Sequence, residues 1–215
     1  PVGGAAMIYT CSGLLLLVTV GFPDLRRFPL RYLLAGSFLF VSYEICLALS
    51  LGYAATRHQA IEAGMVNYLW PGLTILFAII FNRQKASWLV IPGLLLAVTG
   101  VCRVLGGDGG FSLANISNNI VSSPVSYLLA FSGAIIWAAY CTVTSKYADG
   151  HNGITFFILL TAVCLWGKFL VSEQPPMHFT LPTVVQLAMV SVALGFGYAA
   201  WNTGILHGHV SVLAA

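Results

Sequence analysis

Residues 184–206 read VVQLAMVSVALGFGYAAWNTGIL, and no position among them carries a charged side chain. At about 1.5 Å per residue, a helix of that length crosses the roughly 30 Å hydrocarbon core of a bilayer. Runs of the same kind, bounded by charge, Pro, Gly or Asn, lie at Gly4–Val20, Tyr32–Leu51, Ala60–Phe81, Trp88–Leu105, Ser126–Ser145 and Thr155–Val171. Hydrocarbon offers no partner to a free N–H or C=O group, so each run is predicted to be an α-helix. A β-barrel would need polar and apolar residues alternating with period two, a pattern these runs lack.

Composition points the same way. Hydrophobic residues make up 59% of the 215 positions and charged residues 7%, against about a quarter charged in soluble domains. The chain reads as one all-α, multi-pass membrane domain over residues 1–215, with membrane lipid as its surroundings. Its net charge of +3 is scattered and forms no continuous basic face, which excludes nucleic acid as a partner. Cys11, Cys46, Cys102, Cys141 and Cys164 sit in apolar runs without C-x-x-C spacing and read as small packing side chains. The chain opens at Pro1 without an initiator Met or signal-peptide pattern and stops at Ala215, soon after an apolar run begins at Val210. It is therefore expected to be a segment of a longer protein, with about seven full spans and the start of another.

The loops set an orientation. The first, third and fifth connections carry Arg26, Arg27, Arg31, Arg83, Lys85 and Lys146, whereas those between them carry Arg57, Arg103 and Lys168. By the positive-inside rule the richer set is cytoplasmic, which places Pro1 outside.

Gly52-Tyr53-Ala54-Ala55 recurs as Gly197-Tyr198-Ala199-Ala200. Five spans separate the copies, and an odd period turns the second copy over. Inverted repeats of this kind build many secondary transporters, with the solute site near the membrane midplane. A five-span unit implies ten helices in all. Residues 1–105 would hold most of the first repeat, 106–124 a connecting loop, and 125–215 most of the second.

The chain resembles the drug/metabolite transporter superfamily of EamA type, and within it most closely the bacterial aromatic amino acid exporters. The resemblance is carried by Ala48-Leu49 through Ala60, by Ala63 and Gly64 to Pro71, by Pro92-Gly93 to Gly100-Val101, and by Tyr198 through Trp201-Asn202 to Val210-Ser211. It implies ten helices in two inverted halves, a bacterial inner-membrane location, and export of aromatic and other hydrophobic amino acids or related metabolites. Members often carry Gly-Glu just after the fourth helix, where this chain has Asn82-Arg83, so no role of that Glu carries over.

Small, amide and aromatic residues at helical spacing mark faces turned away from lipid. Gly133, Trp137, Tyr140 and Thr144 share one such face, and Ser191, Gly195, Tyr198 and Asn202 another. Each can wall a cavity for an aromatic solute, or pack helices tightly through small residues. In the third run Pro71 lacks an N–H, so the carbonyl of Asn67 loses its donor and a kink is predicted beside Tyr68 and Trp70. Gly133 and Gly195 are further candidate hinges. Glu44, next to Tyr43, lies deepest of the ionisable residues, where a charge costs ~2.5–3.5 kcal/mol on insertion scales. It is expected to be paired, protonated, coupled to a proton or bound to a solute ammonium. Glu62 and Lys168, nearer span ends, are expected to snorkel, and Tyr32, Trp88 and Tyr127 to anchor at the interface. The candidate solute site is thus Trp137, Tyr140, Asn67, Tyr68, Trp70, Tyr198, Trp201, Asn202, Tyr43 and Glu44, in a protein taken as a monomer.

Two rival classes fit less well. A seven-span receptor predicts no inverted repeat. A membrane enzyme acting on a lipid or apolar metabolite would need converging catalytic groups, yet His58, His151, His178, His207 and His209 fall in loops or at helix ends without an H-E-x-x-H motif. No catalytic residue, metal or cofactor is assigned.

Overall fold

The computed structural model describes residues 2–85, 88–106, 113–171, 177, 179–208 and 210–213. Its helices, in chain order, are α1 (Val2–Thr19), α2 (Leu30–Tyr53), α3 (Arg57–Asn67), α4 (Trp70–Asn82), α5 (Val90–Leu105), α6 (Leu113–Ser122), α7 (Pro124–Tyr147), α8 (Ile154–Leu170), α9 (Leu181–His207) and α10 (Val210–Leu213), with a 3-10 turn at Leu25–Arg27. Every apolar run read from the sequence falls on helix. Val2–Thr19, Leu30–Tyr53, Arg57–Asn82, Pro124–Tyr147 and Leu181–His207 are long and apolar enough to cross a membrane, while Val90–Leu105 and Ile154–Leu170 are shorter apolar helices. The protein is a multi-pass membrane protein, and its exposed Leu34, Phe38, Leu95, Leu96, Leu128 and Val163 suit a surface facing hydrocarbon.

Sequence signals account for the helix ends. At the start of α3 the Thr56 hydroxyl accepts the Gln59 N–H at 3.1 Å, and Gln59 Oε1 accepts the Ala55 N–H at 2.9 Å, a near relative of the capping box. At the end of α4, Arg83 takes the left-handed conformation, φ 52 and ψ 33, while its N–H reaches the Ala78 carbonyl. Glycine adopts that conformation most readily. The stretch read as a plain connecting loop, residues 106–124, contains α6, a helix of 10 residues and too short to span a bilayer.

The contacts divide the chain into two compact units. One comprises Pro1–Val41 and Val143–His209, the other Ser42–Thr142 and Val210–Ala215. In the first, α1 packs on α8 and α9. Ser12 Oγ donates to the Ser191 carbonyl at 2.8 Å, and a Cβ at Gly195 would lie 3.4 Å from the Ser12 carbonyl oxygen. Small residues here let two helix backbones approach, the usual basis of helix association in lipid. Trp166 Nε1 donates to Thr10 Oγ1 at 2.9 Å, and Thr10 in turn donates to the Ala6 carbonyl at 2.7 Å.

In the second unit α2 and α7 are tied by a reciprocal pair of bonds. Ser50 Oγ donates to the Ser126 carbonyl at 2.8 Å, and Ser126 Oγ to the Ser50 carbonyl at 2.7 Å. Apolar packing joins Ala63 and Val66 of α3 to Leu105, Tyr127 and Ala130. Two expectations of interfacial anchoring fail. Tyr32 is 0% exposed and stacks on Phe28, and Tyr127 is 4% exposed and bonded to Glu62. A tyrosine near a span end anchors at the interface only when its helix turns it outward, as at exposed Trp88.

Candidate solute site

The third apolar run is broken where Pro71 predicted a kink. α3 ends at Asn67, Tyr68 and Leu69 form a turn, and α4 begins at Trp70 with Pro71 in its first turn. Leu69 N–H bonds the Val66 carbonyl at 3.1 Å, a tight turn that ends the α-helical ladder. The break places successive residues in different surroundings. Asn67 is 6% exposed, whereas Tyr68 is 65% exposed and lies outside the cluster described next.

Trp137 of α7 is the centre of that cluster. Its ring lies 4.7 Å from that of Tyr43, 5.1 Å from that of Tyr140 and 6.2 Å from that of Trp70, the last edge-on at 79°. Asn67 Nδ2 donates to Tyr43 Oη at 3.3 Å, while Asn67 Oδ1 is buried and meets no donor among the described residues. Gly133, one turn from Trp137, allows this approach, since a Cβ there would stand 3.2 Å from Asn67 Oδ1 and 3.7 Å from the Tyr43 ring. α7 is unbroken through Gly133, as α9 is through Gly195, and both glycines act here as points of close approach. Thr74 is buried and its hydroxyl bonds the Trp70 carbonyl at 2.7 Å. Glu44, beside Tyr43 on α2, is 1% exposed.

Tyr198, Trp201 and Asn202 belong to the first unit. Phe40 packs against Tyr198 at 5.3 Å and against Phe157 at 5.9 Å, and Phe157 meets Tyr32 at 5.7 Å. Asn202 Nδ2 donates to Asn152 Oδ1 at 2.8 Å, and the same oxygen accepts the Ile154 N–H at 3.1 Å. Asn202 thus helps fasten α9 to the start of α8. Trp201 is half-buried.

Sequence reasoning missed one buried polar centre. Glu62 does not snorkel: it is 1% exposed and accepts bonds from Tyr127 Oη and from Asn119 Nδ2 at 3.1 Å. Its partners lie 65 and 57 residues away along the chain, so no local spacing reveals them. Among the described residues no group of three His, Cys, Asp or Glu side chains could hold a metal; His178 and His209 lie outside them.

What the cluster holds is non-covalent: aromatic rings in edge, tilted and stacked contact, and a buried carboxamide oxygen that meets no donor among the described residues. Comparison with known proteins gives this geometry a context. No family model matches the chain. The aromatic amino acid exporter YddG of Salmonella typhimurium (strain 14028s / SGSC 2262) is 68% identical over 214 residues, covering 100% of this chain and 73% of its own. The exporter of the same name from Escherichia coli (strain K12) is 66% identical over the same shares. That of Ancylobacter novellus is 27% identical over 156 residues, or 71% of this chain and 52% of its own. A solved crystal structure aligns with a TM-score of 0.76 at 22% identity, over 100% of this chain and 72% of its own, and bears on the fold alone. The relatives are named as exporters, which removes the membrane enzyme as a rival. With identity this high over the whole chain, the protein belongs to the aromatic amino acid exporters of the EamA-type drug/metabolite transporter family.

Proposed function

We propose that this protein moves aromatic amino acids, and less selectively other hydrophobic ones, out of the cytoplasm across a bacterial inner membrane. In this reading it works as part of a ten-helix assembly of two inverted repeats, and the Tyr43, Asn67, Trp70, Trp137 and Tyr140 cluster forms its midplane solute site. The observation that carries the reading is the pairing of the Trp137 ring cluster with a buried Asn67 oxygen that meets no donor among the described residues.

An unsatisfied buried polar atom costs about 1–3 kcal/mol. A solute N–H placed at Asn67 Oδ1 removes that cost. Turning the carboxamide over would present N–H donors instead, and one polar edge would still remain for the solute. Ring against ring, each aromatic pair contributes about 0.5–1.5 kcal/mol beyond its buried area. Since about 1.4 kcal/mol is tenfold in affinity, the preference for aromatic over small solutes is modest and the exporter broad. Glu44 is assigned to the solute ammonium or to a coupled proton.

The test is flux of radiolabelled amino acids through purified protein in liposomes. Trp137→Ala should weaken transport of phenylalanine, tyrosine and tryptophan about tenfold more than that of threonine or alanine. A uniform loss across solutes would make Trp137 a packing residue. Failure of the intact protein to move aromatic amino acids would overturn the substrate class.

A further inference from the structure

The buried carboxylate of Glu62 has no place in the solute site, yet both of its oxygens accept hydrogen bonds. Its Oε2 accepts from Tyr127 of α7, its Oε1 accepts from Asn119 of α6 at 3.1 Å, and His58 Nδ1 stands 3.4 Å from the same oxygen. Asn119 Nδ2 also donates to the Leu105 carbonyl at the end of α5 at 2.8 Å, and Gln59 Nε2 of α3 donates to Ser122 Oγ of α6 at 2.8 Å. The N-terminal half of α3, from Gln59 to Glu62 at its middle, is thereby clasped to α5, α6 and α7, all within the second unit. Bonds to a carboxylate are about twice as strong as neutral ones, and the apolar surroundings of Ala63, Val66 and Ala130 strengthen them further.

The other end of α3 is Asn67. Five helical steps separate it from Glu62, a rise of about 7.5 Å, over which a helix moves as a rigid piece. The turn at Tyr68 and Leu69 deprives α3 of a continuous helical ladder into α4. The pose of Asn67 therefore depends on what grips α3 itself. We propose that Glu62 is a positioning residue for transport: its clasp fixes the rotation and height of α3, and through them the point at which the Asn67 carboxamide meets the solute.

The inference rests on Asn67 contacting the solute, and the experiment separates the two claims. KM and maximal rate for phenylalanine are measured in liposomes for Glu62→Ala, Glu62→Gln, Asn67→Ala, the Glu62→Ala/Asn67→Ala pair, and Ser12→Ala, at matched amounts of folded protein. Asn67→Ala and Glu62→Ala should each raise KM about tenfold with little change in maximal rate. Glu62→Gln keeps one acceptor oxygen for Asn119 and turns an NH2 toward Tyr127 Oη, which can accept from it, and should return KM to within about threefold of native. The double variant should be no worse than Asn67→Ala, because a residue acting only through Asn67 has nothing further to disturb. Ser12→Ala removes the bond from α1 to the Ser191 carbonyl of α9 in the first unit, which holds none of the cluster residues, and should lower the melting temperature without moving KM. A native KM in Glu62→Ala, a multiplicative loss in the double variant, or an equal KM change in Ser12→Ala overturns the proposal. A native KM in Asn67→Ala overturns the solute-site reading instead. If Glu62→Ala fails to fold, Asn119→Leu, which removes one donor only, decides by the same readouts.

Discussion

At the scale of single residues, the faces were legible in the sequence and the partners were not. Gly133, Trp137, Tyr140 and Thr144 are all buried, as their spacing requires of an inward face. The spacing could not say that Gly133 would meet Asn67, because that contact depends on how α7 and α3 pack. Nor could it separate Asn67 from Tyr68, adjacent in sequence but opposite in burial. Gly133→Leu is the sharpest probe of the contact. Its branched side chain must enter space where even a Cβ would stand 3.2 Å from Asn67 Oδ1, so KM for phenylalanine should rise by about tenfold. Gly100→Ala, at an exposed position with nothing within 4 Å of the added Cβ, should leave KM unchanged. Equal responses in the two variants would mean that position 133 does not touch the site.

At the scale of elements, Pro71 was the most informative letter in the third run. It announced a lost N–H opposite the Asn67 carbonyl, and the chain indeed divides there into α3 and α4. α6 escaped notice because ten residues are too few to register as a span, and its hold on α3 runs through the distant pair Asn119 and Glu62. Pro71→Ala restores the missing donor. The variant should carry helix through Tyr68 and Leu69, rotate Asn67 relative to Trp137, and slow phenylalanine flux several-fold while raising the melting temperature. The stability gain comes from one added backbone bond, about 0.5–1.5 kcal/mol. Native flux at a raised melting temperature would show that the break shapes the fold without serving transport.

At the scale of the whole molecule, charge-poor runs announced a multi-pass helical membrane protein, since hydrocarbon tolerates little else. The division into two compact units was not legible, because it depends on which helix faces meet. Orientation follows from loop charge alone, and α5 makes it testable. Arg83 and Asn118 lie on either side of this one apolar helix, both exposed. α5 has 16 residues, a length of about 24 Å, against a hydrocarbon core of roughly 30 Å. A helix that short crosses when the bilayer thins locally or its flanking residues reach outward, at a cost of fractions of a kcal/mol per Å. That is small beside the cost of leaving its apolar face in water, at about 25 cal/mol for each Å². Single cysteines at the two positions, in a background with the five native cysteines replaced, should therefore react with an impermeant maleimide from opposite sides. Asn118→Cys should label in intact cells, and Arg83→Cys only after permeabilisation. The reverse pattern would invert the molecule and defeat the loop-charge argument, whereas labelling from one side would mean that α5 does not cross. In that case the interval between the two Gly-Tyr-Ala-Ala copies would hold an even number of crossings, and the inverted repeat would fall with it.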